Sequence, residues 1–135
     1  MSGVRRLSRE MALQVLFQHE FTVKQTLQAG LETFRGSFDS SEEMWEYALV
    51  LLKGVENNYA AIDSLIQKAS SHWSLKRMAL VDLNIMRVAT FELKFSDGSV
   101  PHPVAIDEAI EISKKYGTED SAAFVNGILD QIVKQ

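Results

Sequence analysis

The sequence has no cysteine, which excludes disulfides and thiolate metal sites and fits a reducing compartment. No apolar run approaches the roughly 18 residues a membrane span needs. The arginines near the start are not followed by the apolar core of a secretory signal. The chain therefore reads as cytoplasmic, with no membrane partner. Only two prolines and seven glycines occur in 135 residues, and both prolines fall in one loop. So few chain breakers favour long helices over many short strands. His19, His72 and His102 are far apart, and none has metal-ligand spacing. There is no glycine-rich phosphate loop and no nucleophile elbow. Asp107 and Glu108 are neighbours on a predicted helix, so they diverge by about 100° and form no dyad. Nothing specifies catalysis, a metal or a cofactor, and an enzyme is not expected.

What is present suits one globular domain over residues 1–135, with 46% hydrophobic and 24% charged residues. The net charge of −4 argues against a general nucleic-acid binder. The distribution of that charge points the other way. Residues 1–9 carry three arginines and no acid, so the positive charge is gathered at one end of an acidic body. Arg5, Arg6 and Arg9 fall within a helical sector of about 100° and predict one cationic face. Such a face either solubilises a terminus or grips phosphates.

Helical periodicity organises the rest. Met11 to Phe17 is largely apolar and predicts a buried stretch of the first helix. Thr22-x-x-Gln25 and Ser40-x-x-Glu43 resemble capping boxes. Leu27, Leu31 and Phe34 follow the first box. A 3.6-residue pattern from Met44 to Ala69 follows the second, with Gly54 and Asn57-Asn58 as places to bend. These stripes predict an N-terminal helical bundle over residues 1–70 and a C-terminal one over 71–135. Met78 to Leu93 is apolar over a wide arc and predicts a central helix. Asp82, Arg87 and Glu92 within it must reach the surface or find partners, and Glu108 is a candidate partner for Arg87. Asp97-Gly98 ends that helix, and Val100-Pro101-His102-Pro103 must be extended. Gly117 is read as a helix stop that tolerates positive φ, and Thr118 as the cap of the last helix. Gly127, inside the apolar stripe of that helix, is read as a point of close packing.

The wording of several stretches is familiar. Asp120-Ser121-x-x-Phe124-Val125-Asn126-Gly127-x-Leu129-Asp130 closely resembles the C-terminal signature of the NusB family. Arg5-Arg6-x-x-Arg9-Glu10-x-Ala12-Leu13-Gln14 looks like its opening. Asp82-x-x-Ile85-Met86-Arg87-x-Ala89-x-x-Glu92-Leu93 is similar to its central helix, and Val104 to Ala109 with Lys114-Lys115-Tyr116-Gly117 to the segment after it. Residues 20–70 match only in general character.

The resemblance implies an all-α fold of two packed three-helix bundles. It also implies a role in transcription antitermination: binding the boxA element of ribosomal and phage leader RNA together with NusE, a small-subunit ribosomal protein, in an RNA polymerase antitermination complex. By position, Arg5, Arg6 and Arg9 would contact RNA, and Asp120, Ser121 and Phe124 would complete the RNA surface. Phe124 would stack a splayed base if exposed, a core position being the competing reading, and Ser121 or a helix-end amide would read an edge. Phe17 and Asp82 are carried over as NusE contacts. Leu7 and Ser8 interrupt the family's basic run. That departure implies weak intrinsic RNA affinity, with NusE supplying the remainder by linked binding. The alternative is a helical protein–protein adaptor with no intrinsic RNA binding. The same domain occurs fused to RNA methyltransferases, but no methyl-donor domain is legible here. A homodimer that covered the arginine face would hide the RNA site.

Overall fold

From Asp82 to Leu93 every residue is buried, so this stretch must be wrapped on all sides. The computed structural model, which describes every residue except Met1 and Val23, shows how. Helix α5 (Leu80–Lys94) is surrounded by α1 (Ser2–His19), α3 (Glu42–Asn57), α4 (Tyr59–Ala69), α6 (His102–Tyr116) and α7 (Ser121–Val133). Helix α2 (Leu27–Arg35) closes the far side of α1 and α3. The described residues form helices and no strands, so the fold is all-α. One continuous apolar core runs from Met11 on α1 to Ile132 on α7.

Two helix starts differ from the capping boxes. Thr26 caps α2, its hydroxyl accepting from the Ala29 N–H at 3.0 Å. Ser41, not Ser40, caps α3 by accepting from the Met44 N–H at 3.2 Å. Neighbouring serines and threonines have the same capping chemistry. The register that buries Leu27, Leu31, Met44 and Ala48 selects among them.

The long pattern after Ser41 is two helices. Asn58 breaks it with φ −122° and ψ 20°, its side-chain amide donating to the Gly54 carbonyl at 2.8 Å. Beyond the break, α4 packs on α5 and α7. Gly54 is no bend. A Cβ there would lie 2.1 Å from the Phe91 ring, so glycine provides the notch that lets α3 and α5 meet.

Helix α5 begins at Leu80, after a short 3₁₀ turn at Leu75–Arg77 that leaves Trp73 exposed. The expected partner of Arg87 is corrected. Its guanidinium donates to both oxygens of Asp63 (2.9 and 3.0 Å), to Glu20 (3.0 Å) and to Asn84 (3.0 Å), fastening α5 to α4 and the end of α1. Asp82 neither surfaces nor fully pairs: it is buried, and its Oδ1 has no hydrogen-bond partner among the described residues.

At the other end, Asp97 (φ 54°) and Gly98 (φ 73°) reverse the chain into α6. Gly117 is not left-handed: its φ is −94°. Space is what it supplies, because a Cβ would meet Ser121 Oγ at 2.3 Å. Thr118 does not cap α7. Asp120 holds that position, and the Thr118 N–H donates to Ser121 Oγ at 2.9 Å. Among the described residues nothing lies within 4 Å of a Cβ built on Gly127, which is exposed, so the close contact expected there is not found.

Candidate functional site

The three arginines of α1 have three different environments. Arg5 is exposed, and its guanidinium lies over the Tyr47 ring, 4.2 Å from the centroid. Stacking uses the flat face and leaves the N–H edges open. No side-chain hydrogen bond from Arg5 occurs among the described residues. Arg6 is half-buried and forms a fork to Glu108, Nε–H donating to Oε1 at 3.0 Å and Nη2–H to Oε2 at 2.5 Å. Arg9 is only 4% exposed. It donates to Glu92 through Nε at 2.9 Å and Nη2 at 3.0 Å, and to Glu108 through Nη1 at 3.1 Å. The expectation of one open face formed by all three is therefore corrected. A sector of 100° at the margin of a packed helix includes both a solvent edge and a core edge.

These contacts join into one frame. Glu92 on α5, itself 1% exposed, also accepts a hydrogen bond from the Tyr47 hydroxyl of α3. The order Arg5–Tyr47–Glu92–Arg9–Glu108–Arg6 thus links α1, α3, α5 and α6. Burial, and then the neighbouring Glu92 charge, pushes the Tyr47 hydroxyl well above its ordinary range, so it remains a donor. The Arg6 hydrogen bond holds the Glu108 carboxyl below the ordinary glutamate value against the opposing effect of burial. A cleft of about 270 Å³ opens beside the frame, bordered by Arg5, Pro101, Val104 and Glu108.

Glu10, one turn after Arg6, reaches the end of α6. Its Oε1 accepts from Lys115 at 2.9 Å and from the Tyr116 hydroxyl at 2.8 Å. Gly117 and the start of α7 follow directly, so the cationic end of α1 and the Asp120–Phe124 segment are fastened to neighbouring parts of α6. Of that segment, Asp120 is exposed and Phe124 is half-buried against the core. Ser121 is only 2% exposed, and its hydroxyl accepts the Thr118 N–H. It shapes the turn and is not offered to solvent.

A second cleft, about 420 Å³, is lined by Leu13, Phe17, Phe21, Phe34, Val81 and Tyr116. Phe21 is 68% exposed and meets Phe17 edge to face at 5.4 Å between centroids. Phe17 thus belongs to an apolar surface, with Asp82 next in sequence to the lining Val81. Tyr47, Glu92, Glu108 and Phe21 were not legible as site residues. Glu92 and Glu108 reach Arg9 and Arg6 from 83 and 102 residues away, and no local spacing signals such pairs. Phe21 continues the i, i+4 spacing of Leu13 and Phe17 past the end of α1 at His19, which was itself a signal.

Among known proteins, the model of the NusB family matches residues 6–134. The transcription antitermination protein NusB of Bdellovibrio bacteriovorus is 50% identical over 96% of this chain and 95% of its own length. A crystal structure of NusB from T. maritima superposes with a TM-score of 0.88 at 44% identity, covering 97% of this chain and 91% of that one. A crystal structure of antitermination factors NusB and NusE in complex with double-stranded RNA gives a TM-score of 0.87 at 27% identity, covering 99% and 98%.

Proposed function

We propose, from the premise that this chain belongs to the NusB family, that it is a transcription antitermination factor binding boxA RNA together with NusE within an RNA polymerase antitermination complex. Its action is binding, not catalysis, on a nascent transcript in the cytoplasm.

The observation that carries the RNA reading is Arg5: an exposed guanidinium seated on Tyr47 whose edges make no side-chain hydrogen bond among the described residues. A cation presented in this way attracts the RNA backbone and positions the strand. In this assignment Arg5 and Arg6 contact RNA phosphates or bases. Asp120 and the half-buried Phe124 extend the surface, Phe124 giving a stacking edge. Arg9 and Ser121 serve as positioning residues: Arg9 anchors the frame under Arg5 and Arg6, and Ser121 fixes the turn that presents Asp120. NusE docks on the apolar cleft at Phe17 and Phe21, and the buried Asp82 acts on it only through the neighbouring Val81 that lines the cleft. Weak intrinsic RNA affinity follows from the short basic run, and NusE adds the remainder.

A titration tests this. Labelled boxA-type RNA and a scrambled RNA of equal length are bound with and without NusE at two salt concentrations. Selective, salt-sensitive binding that NusE strengthens is expected. Equal or absent binding to both RNAs under every condition would leave the adaptor reading.

A further inference from the structure

We propose that Glu108 is an internal stand-in for an RNA phosphate: it holds the guanidinium fork of Arg6, and RNA must displace it to gain that arginine. The inference rests on the RNA-binding reading above and adds a residue that sets the affinity.

The geometry is competitive. Arg6 uses Nε and Nη2 on the two oxygens of Glu108, which is the same paired edge that an arginine offers to a phosphate. The Arg6 side chain is 43% exposed while that of Glu108 is 9% exposed. The pair therefore sits at the boundary, where an incoming phosphate can reach the arginine and the carboxylate stays behind. Glu108 is not stranded when Arg6 leaves, because its Oε1 also accepts from the buried Arg9 at 3.1 Å. Arg9 thus keeps a cation on the carboxylate in both states. Arg5, a turn-mate without such a clamp, is open from the start. One free and one clamped arginine give a site that holds RNA weakly until its phosphates compete successfully for Arg6.

The contrary role is that Glu108 orients Arg6 for RNA, and the two roles predict opposite signs. Affinity for a boxA-type RNA is measured for the wild type, Glu108→Gln, Glu111→Gln, Arg6→Ala and the Arg6→Ala/Glu108→Gln double variant. Glu111 is one turn further on, exposed and paired with Lys114 at 3.1 Å, so its loss removes a nearby charge without touching the fork. Glu108→Gln is expected to tighten binding by about threefold to tenfold, the range spanned by part-exposed and bidentate ion pairs. Glu111→Gln is expected to change it by about twofold or less, and the Glu108→Gln gain should vanish when Arg6 is alanine. Unchanged or weaker binding by Glu108→Gln would overturn the proposal. So would a gain equal to that of Glu111→Gln, or one that survives without Arg6. Failure of the wild type to prefer boxA RNA over scrambled RNA would instead remove the RNA reading itself. A measurement on unaltered protein covers the case in which Glu108→Gln does not fold. The ¹⁵N-detected Arg6 Nε–H resonance should shift as RNA saturates the protein, and a resonance unmoved at saturation would overturn the displacement.

Discussion

Arg9 and Arg5 belong to the same helix face by sequence, yet their side chains perform separable tasks. Arg9 neutralises Glu92 inside the molecule. Removing one partner of a buried pair strands the other charge at a cost of roughly 3–5 kcal/mol. Arg9→Ala should lower urea-unfolding stability by that order, whereas Arg5→Ala, exposed and held only by a ring contact, should change it by less than about 1 kcal/mol. Glu108 adds a pH dependence with a definite sign. Its carboxyl is held below the ordinary value of 4.5, chiefly by Arg6, so the unfolded chain binds more protons than the folded one in that window. Its stabilising effect is complete above the ordinary value and is lost as the pH falls through the lowered one. Thermal melts should accordingly show a shallower acid decline for Glu108→Gln than for the wild type below about pH 4.5. Parallel declines would show that Glu108 is not the group responsible.

At the level of helices, two glycines separate close packing from open space. Gly54→Ala puts a methyl group into the Phe91 ring and should cost about 1–3 kcal/mol, the usual range for overpacking. Gly127→Ala meets nothing within 4 Å and should stabilise α7 by up to about 1 kcal/mol. Denaturant midpoints of the two variants should therefore move in opposite directions. The sequence made the central helix legible because Met78 to Leu93 is apolar around most of its circumference, and the all-α class because its periodicity is sustained. It assigned the bend to Gly54 and the close contact to Gly127, and packing reverses the two, because Phe91, which fills the notch at Gly54, comes from a helix far along the chain. The break at Asn58 was visible as a candidate, but the move of α4 onto α5 and α7 depends on contacts far apart in the chain. The same limit hid the frame. The arginines were readable in one short motif, while Glu92 and Glu108 lie on α5 and α6, and Glu108, expected at Arg87, pairs with Arg6 and Arg9.

Across the whole molecule, an acidic body with a net charge of −4 carries Arg5 and Arg6 at the edge of a partly neutralised ionic frame. This combination suits a factor that should hold RNA selectively with a protein partner and not adhere to every transcript. The most direct measurement is the salt dependence of boxA RNA binding for the wild type, Arg5→Ala and Arg9→Ala, each with its melting temperature and at a temperature where all are folded. Each single-strand phosphate contact contributes about −0.7 to the log–log slope. Arg5→Ala should make the slope shallower by about that amount with its melting temperature unchanged, and Arg9→Ala should melt far lower while keeping the wild-type slope. An Arg9→Ala variant that melts normally and loses about 0.7 from its slope would contradict the division of the arginines into RNA contacts and a buried anchor.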